Sequence, residues 1–203
     1  MKTPTEIKFD TIIKQGFHEV LKPKGFKKKG NNFYLQLPEL GQIINIQKSS
    51  FYSKDKIHFT INTGIFIPQH WKGLFYNQGK ELPSFPTEPE CLIRKRIGEL
   101  RKQHDTWYDV EEKSDEVKLI SEMRDNLEQF ILPYFSTVST IDDVLSLVDT
   151  EKLHLQPLGK LIIYGELRLI DKAKTEYDRM FEEKLNPHFL ETVKEYGEKY
   201  GIS

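Results

Sequence analysis

The sequence predicts an α+β fold: an antiparallel β-sheet of about five strands, flanked by helices and followed by a C-terminal antiparallel helical segment. Apolar and polar residues alternate between residues 31 and 68, as they do in half-buried strands. In residues 5–21 and in the last third of the chain, apolar residues recur instead at the helical period. We therefore divide the chain into a sheet domain, residues 1–137, and a helical appendage packed on it, residues 138–203.

The N-terminal part is predicted to be a helix followed by a meander of strands. The helix covers residues 5–21, and Pro23 and Gly25 end its apolar pattern. The strands of the meander are predicted at residues 32–37, 44–46 and 57–61, with hairpin connections at Pro38–Gly41 and Ser53–Lys56.

The middle of the chain has a less regular pattern. Residues 69–90 contain three prolines and two glycines, which predicts a long irregular segment of a kind that often carries function. Cys91–Leu100 could be a strand or a helix; Ile93, Ile97 and Leu100 fit the helical period, whereas the family resemblance described below implies a strand.

The remaining elements are a short strand at Thr106–Val110 and a series of helices. The first of these helices is predicted to have Ser114 as its N-cap and to end at Pro133, because proline cannot continue the helical hydrogen bonds. Further helices are predicted at residues 141–148, 158–169, 171–185 and 187–200, and Thr140 is expected to cap the first of them.

Charge is divided unevenly along the chain. The 30 basic and 31 acidic side chains give a net charge of −1. Residues 1–104 nevertheless carry 18 basic and 9 acidic side chains, a net of +9, and residues 105–203 carry 12 and 22, a net of −10. Because the predicted sheet domain extends into the acidic half, we expect charge pairing between the halves, which weakens the case for free nucleic-acid binding.

The composition favours a soluble protein of the cytoplasm. Cys91 is the single cysteine, so the chain can form neither an internal disulfide nor a cysteine-based zinc cluster, which fits a reducing compartment. The first ten residues contain no apolar stretch, and no apolar run approaches the roughly 20 residues of a membrane span. We therefore expect neither a signal peptide nor contact with a membrane, and the oligomeric state stays open.

The sequence contains no motif of an enzyme, a metal site or a cofactor site. No two histidines have the spacing of a zinc-binding His-Glu-x-x-His pair, there is no Gly-x-Ser-x-Gly elbow, and Cys91 has no neighbouring base. We predict a non-enzymatic protein without cofactor or metal. The histidines are His18, His58, His70, His104, His154 and His188.

The densest basic cluster is Lys22–Gly30, with five lysines in nine residues. Phosphates attract cations and unpaired bases stack on aromatic rings, so Lys27, Lys28 and Lys29 are candidates for binding nucleic acid or a phosphate ligand. The alternative, which we favour, is a solvated turn between the helix and the first strand, with Phe26 in the core.

A second basic group contains Arg94 and Arg96. If Cys91–Leu100 is a strand, these two side chains share one face, and two guanidinium groups together could grip a phosphate or a carboxylate. The alternative is an exposed sheet face whose arginines pair with acidic residues of the second half.

Large aromatic residues mark the irregular segment and the last strand. Trp71 and Tyr76 are either anchors that close the segment over the core or contacts for a partner, and both possibilities are kept. Trp107 lies in an alternating stretch with Tyr108 on the opposite face, and we place Trp107 in the core.

One segment also resembles a known family. Leu21–Tyr34 reads Leu-Lys-Pro-Lys-Gly-Phe-Lys-Lys-Lys-Gly-Asn-Asn-Phe-Tyr. It resembles the opening signature Leu-x-Pro-x-Gly-Phe-Lys-Lys-x-Gly-x-x-Phe of a bacterial family of small proteins catalogued only as a domain of unknown function. The resemblance covers about residues 5–135, and the helices after Thr140 lie outside it. Trp107-Tyr108 stands where the family pattern has two tryptophans.

The resemblance implies an antiparallel sheet flanked by helices, and it implies no activity. Small charged α+β proteins of the cytoplasm often neutralise toxins, so the first functional hypothesis is a binding protein with a protein partner, of the immunity or antitoxin kind. The alternative is nucleic-acid or phosphate-ligand binding by the basic half of the sheet domain.

Overall fold

The computed structural model describes residues 2–50, 53, 55–150, 153, 155, 158–183 and 185–202. Within them the fold is the predicted antiparallel sheet with flanking and C-terminal helices. The strands are β1 (Lys27–Lys29), β2 (Asn32–Gln36), β3 (Gly41–Lys48), β4 (Lys56–Phe66), β5 (Ile93–Arg96) and β6 (Tyr108–Glu111). The helices are α1 (Pro4–Ile12), α2 (Glu19–Leu21), α3 (Pro68–Gly73), α4 (Ile97–Leu100), α5 (Glu116–Asn126), α6 (Leu132–Ser136), α7 (Ile141–Thr150), α8 (Gly159–Glu166), α9 (Ile170–Glu182) and α10 (Pro187–Tyr200).

The sheet is built around β4. Strands β1 to β4 form a meander in chain order, and all strand pairs are antiparallel. Strands β5 and β6 lie end to end along the other edge of β4, because Asn62 pairs with Arg96 and Lys56 pairs with Glu111. The predicted connection at Ser53–Lys56 includes Lys54, which lies outside the described residues.

The predicted turn at Lys22–Gly30 is only partly a turn. Its residues Lys27–Lys29 form the edge strand β1, which pairs with β2, so the sheet has six strands in the described part of the chain. The sequence does not predict this strand because Lys27–Lys29 are three consecutive lysines, with no apolar residue alternating between them. A short edge strand made of lysines also discourages pairing with the edge of another molecule.

The N-terminal helix is confirmed. Thr3 Oγ1 accepts a hydrogen bond from the Glu6 N–H, and the Glu6 carboxylate accepts one from the Thr3 N–H, so the helix begins with a capping box. A π-helical turn, Ile13–His18, joins α1 to α2. Gly25 ends the helical region with φ of +90°, a left-handed conformation that favours glycine.

The helix after β6 differs from its prediction at both ends. Asp115, not Ser114, is its N-cap, since the Asp115 side chain accepts a hydrogen bond from the Lys118 N–H. The chain also stays helical past Pro133, through α6. A π-helical turn at Leu127–Ile131 precedes Pro133. In a regular α-helix the proline ring would collide with a carbonyl group of the preceding turn, and the wider π-helical turn moves that group.

The middle and C-terminal segments resolve the remaining alternatives. Cys91–Leu100 contains both predicted structures, the strand β5 followed directly by the short helix α4. The irregular segment 69–90 contains most of helix α3. Thr140 caps α7 as expected, because its hydroxyl accepts a hydrogen bond from the Asp143 N–H. Helices α8 to α10 follow the predicted order.

One face of the sheet carries the main hydrophobic core. Odd-numbered residues of β4, among them Phe59, point toward α1 and α5, and the Phe59 ring meets Phe9 edge-on at 5.4 Å. The buried apolar cluster continues from Phe9 through the C-terminal helices to Ile202. The sheet and the last four helices are therefore joined by continuous apolar packing.

A buried amide connects β3 to the end of α6. Gln42 is 5 % exposed, and its Nε2 donates to the carbonyl oxygens of Phe135 at 2.8 Å and Val138 at 3.0 Å. This side chain lies on the core face of β3 and satisfies main-chain acceptors at the point where the chain leaves α6.

The described helices do not meet, one by one, the length and apolar content of a membrane span. No single one is long and apolar enough to cross a bilayer. Glu116–Ser136 and Ile141–Thr150 reach that length and apolar content only when they are taken together, and they are bent by 97°.

Replacing Gln42 by methionine, Gln42→Met, keeps the side-chain length but removes both donated hydrogen bonds. We expect the free energy of unfolding to fall by about 2 kcal/mol, because a buried carbonyl loses its donor. Urea denaturation measures the loss. The matched control is Gln36→Met on the exposed end of β2, for which we expect a change below about 0.5 kcal/mol. Equal losses in the two variants would contradict the assigned role of Gln42.

Candidate functional site

The face of the sheet that points away from α1 and α5, which we call the open face, is polar except at one end, where Tyr34, Ile43 and Phe66 are buried. Alternation along the strands places on it the residues Asn32, Asn45, Gln47, His58, Asn62, Arg94, Arg96 and Trp107. Asparagine is depleted in strands, so the occurrence of three asparagines on adjacent strands is unusual.

The three asparagines form a hydrogen-bonded row across the sheet. Asn45 Nδ2 donates to Asn32 Oδ1 at 2.7 Å, and Asn62 Nδ2 donates to Asn45 Oδ1 at 3.1 Å. Asn62 Nδ2 also donates to Gln47 Oε1 at 2.8 Å. Asn62 is 4 % exposed, and its Oδ1 has no donor within the described residues. The row thus ends in a buried acceptor without a donor, at an oxygen that solvent scarcely reaches.

Asn62 lines a depression of about 190 Å³ on the open face, together with Gln47, Glu88, Arg94 and Arg96. The two arginines lie on the same face, as the strand alternative predicted. Each is already paired. Arg94 Nε and Nη2 donate to the two carboxylate oxygens of Glu88 at 2.6 and 3.0 Å. Arg96 Nη1 donates to Asp105 Oδ2 at 2.5 Å.

The Glu88–Arg94 pair is the more buried of these two ion pairs. The Glu88 side chain is 7 % exposed and that of Arg94 is 42 % exposed. The hydrogen bonds that Arg94 donates to Glu88 raise the pKa of the Arg94 guanidinium above its ordinary value. A buried carboxylate needs a cation beside it. The charge of Arg94 therefore neutralises Glu88 and does not attract an anion from outside.

An aromatic stack lies at the end of the open face next to β6. The rings of His58 and Trp107 are 4.7 Å apart and inclined by only 8°, and the guanidinium of Arg96 lies over the Trp107 ring at 5.6 Å. Trp107 is half-buried on this face, so its predicted place in the core is wrong. Tyr108 pairs with Phe59 and therefore faces the core, which directs Trp107 to the opposite side.

Asp109 is hydrogen-bonded or ion-paired to two side chains at this end of the sheet. The His58 Nδ1 lies 2.6 Å from Asp109 Oδ1, and Lys56 lies 3.0 Å from Asp109 Oδ2. Burial raises the pKa of Asp109, but the hydrogen bonds from Lys56 and His58 outweigh it, and the net effect is a lowered pKa. Asp109 is therefore ionised at neutral pH, and this end of the open face has little free charge.

The other predicted site residues occupy different places. Trp71 is 5 % exposed and covers the opposite end of the open face, where its Nε1 donates to Glu90 Oε1 at 3.1 Å. Tyr76 is 69 % exposed and lies away from the asparagine row. Lys27, Lys28 and Lys29 are exposed on the edge strand β1. None of these three lysines has an ion-pair partner in the part of the chain that the structure describes.

Neither Cys91 nor the histidines form a reactive or metal-binding cluster in the described residues, and His154 lies outside them. Burial raises the pKa of the Cys91 thiol well above its ordinary value, with the charge of Glu88 acting in the same direction. The thiol is therefore protonated at neutral pH, whereas a nucleophilic cysteine requires the thiolate.

Residues 17–137 match the model of one protein family, described as Domain of unknown function (DUF4304). The chain belongs to this family. The DUF4304 region contains all six strands, α5 and α6, and it ends where the C-terminal helices begin. It also contains the segment Leu21–Tyr34, whose resemblance to a domain of unknown function is thereby confirmed at the level of the family. No curated protein and no solved structure matches the chain.

Sequence reasoning missed the asparagine row within the DUF4304 region, although a signal was present. Asn45 and Gln47 alternate with apolar residues in β3, and His58 and Asn62 alternate with them in β4. The polar half of each alternation marks the open face as clearly as the apolar half marks the core.

The variants Arg94→Gln and Arg96→Gln separate the structural roles of the two arginines. We expect Arg94→Gln to lower the free energy of unfolding by about 2 kcal/mol, because it leaves the Glu88 carboxylate buried without a cation. Arg96→Gln breaks an exposed pair and should cost less than about 1 kcal/mol. Urea denaturation at pH 7 compares them. Equal losses would argue that Glu88 does not depend on Arg94.

Proposed function

We propose that this protein is a non-enzymatic binding protein of the bacterial cytoplasm that holds a protein partner on its open face. The observation that carries the proposal is the depression around Asn62, where a buried amide oxygen without a donor lies beside two arginines whose charges are already paired. The single, buried Cys91 is in keeping with a reducing compartment.

The chemistry of the depression favours a protein over a polyanion. Phosphodiester oxygens only accept hydrogen bonds, so the backbone of a nucleic acid cannot satisfy the free acceptor of Asn62. The guanidinium groups of Arg94 and Arg96 are held by Glu88 and Asp105, and a phosphate would have to compete with these carboxylates. A protein surface instead offers main-chain N–H groups, amides, and lysine or arginine side chains as donors.

We propose that the protein partner presents a basic surface to the depression. Donors from lysine or arginine fit the Asn62 oxygen and the carboxylate of Glu99, which also lines the depression. The flat stack of Trp107 on His58 provides an adjoining surface for an aliphatic stem or a guanidinium plane. The net charge of −10 in residues 105–203 would steer such a partner toward the molecule.

A basic partner is the basis for the finer proposal of an immunity or antitoxin role. Nucleases present basic surfaces to their substrates, and a protein that covers such a surface blocks substrate binding. The acceptor-rich open face and the acidic half of the chain together support this type of neutralising partner, in which binding alone is the function.

Gln47→Lys tests the proposal by adding a positive charge to the depression. Gln47 is exposed on the open face, so the change does not disturb the core. In affinity capture from the lysate of the source organism, we expect the wild-type protein to retain a basic partner and Gln47→Lys to retain it at least about tenfold less, because like charges repel at the contact.

The matched control for this capture is Gln78→Lys, the same substitution at an exposed position between α3 and β5 that does not line the depression. It changes the net charge equally but lies outside the depression, and it should retain the partner like the wild type. Equal retention by all three proteins would contradict binding on the open face, and equal loss from both variants would indicate that only net charge matters.

A second candidate function is nucleic-acid or phosphate-ligand binding by the lysine cluster, defined as Lys22, Lys24, Lys27, Lys28 and Lys29. All five side chains are exposed, and within the described residues none of them has an acidic partner. Lysines that retain a free charge can release counterions from a nucleic acid, which the paired arginines of the open face cannot do without losing their carboxylates.

The triple variant Lys27→Gln, Lys28→Gln, Lys29→Gln tests the second candidate. If the cluster binds single-stranded RNA, the logarithm of the binding constant should fall linearly with the logarithm of salt concentration, and the variant should reduce that slope by about 2. Fluorescence anisotropy of a labelled RNA oligonucleotide measures both. The control replaces the exposed Lys113, Lys118 and Lys194 by glutamine. A flat salt response, or equal slopes for the two triple variants, would exclude the cluster as a binding site.

A further inference from the structure

A second concave site lies between the segment after β4 and the C-terminal helices. It is a pocket of about 340 Å³, which falls within the size range of small-molecule sites. Helix α3 contributes one wall, and α8 and α10 contribute the opposite wall. The residues on which its chemistry depends are His70, Leu74, Glu90, Cys91, Ile162 and Phe189.

His70 is the buried polar group without a partner in this pocket, whose lining also includes the exposed Tyr76. It is 3 % exposed, and neither Nδ1 nor Nε2 has a hydrogen-bond partner within the described residues. Burial lowers the pKa of His70 to about 4, against the opposing effect of the charge on Glu166. The imidazole is therefore neutral at physiological pH and offers one donor and one acceptor. A buried imidazole without partners lowers the stability of the fold, so a ligand in the pocket gains a hydrogen bond when the His70 ring turns one of its covered nitrogens toward it.

The other lining groups limit which ligand can bind. Leu74, Ile162 and Phe189 give the pocket apolar walls. The Cys91 thiol is neutral. Glu90 is the acidic group of the lining, and its oxygens already accept hydrogen bonds from Trp71 Nε1 and from the Thr87 N–H and hydroxyl. An anion would face the Glu90 carboxylate, and a cation would find its oxygens occupied.

We propose that this pocket binds a neutral small molecule with an apolar ring or short chain and one hydroxyl or N–H group, which forms a hydrogen bond with His70. The apolar body of the ligand contacts Leu74, Ile162 and Phe189, and its polar group satisfies the buried imidazole. The ligand is recognised because its polar group forms a hydrogen bond with His70 inside an otherwise apolar pocket. An analogue without this polar group leaves the imidazole unpaired and binds more weakly. The proposal is independent of the open face and of any partner bound there.

Indole and indene are the probes for this proposal, because they have nearly the same shape and only indole carries an N–H group. The imidazole nitrogen resonances of His70 are followed by NMR while each probe is titrated into the full-length protein. We expect saturable shifts with indole and an affinity for indole about tenfold above that for indene, the effect of one unpaired hydrogen-bonding group. Absence of a saturable shift with either probe would overturn the proposal.

The variant His70→Phe removes the hydrogen bond while keeping an aromatic ring of similar size. For this variant, backbone amide shifts of the pocket residues report binding, and we expect indole and indene to bind with equal affinity. A tenfold preference for indole that persists in His70→Phe would overturn the assigned role of His70. We also expect the melting temperature of His70→Phe to be equal to or above that of the wild type, since an unsatisfied polar group is lost.

The variant Leu74→Trp is the second test and leaves His70 in place. Leu74 is partly buried and lines the pocket. A tryptophan at this position would fill the pocket, and because the site is partly open to solvent the larger side chain need not strain the core. We expect both probes to lose saturable binding in this variant. Unchanged affinities would place the binding of the probes elsewhere and overturn the proposed pocket.

Discussion

The register of β4 is the constraint on which the rest of the molecule depends. Its 11 residues pair with β3 along one edge and with β5 and β6 along the other. Because side chains alternate, Phe59 and Ile61 face α1 and α5 while His58 and Asn62 face away. A slip of one residue would bury the amides against the helices and expose the apolar side chains. The core and the open face are thus two consequences of one register.

The division of charge in the sequence is partly cancelled by the fold. Lys56, Arg96 and Arg101, all from the basic half, form ion pairs with Asp109, Asp105 and Glu122 of the acidic half, among others. Exposed pairs of this kind contribute little to stability. They nevertheless neutralise the sheet where the proposed protein partner would bind. The lysine cluster at the edge of the sheet has no such partners in the described residues and keeps its charge.

The segment that joins β4 to β5 contributes to both proposed sites. Trp71 covers one end of the open face, and its neighbour His70 lines the pocket against α8 and α10. Successive residues of a helix point in different directions, so α3 can serve two surfaces of different chemistry. One surface is rich in hydrogen-bond acceptors and suits a protein. The other is apolar with a single neutral imidazole and suits a small molecule.

The sequence by itself determined the α+β class, the order of most helices and strands, and the core positions, because periodicity and caps are local properties. Tertiary contacts decided the rest. Strand β1 exists because β2 offers a partner for Lys27–Lys29, and Trp107 faces outward because Tyr108 pairs with Phe59. Arg94 is neutralised by Glu88, six residues before it, whereas the unpartnered state of Asn62 and His70 depends on residues distant in sequence. Hydrogen-bond satisfaction and charge pairing are properties of three-dimensional neighbours, which no local pattern specifies.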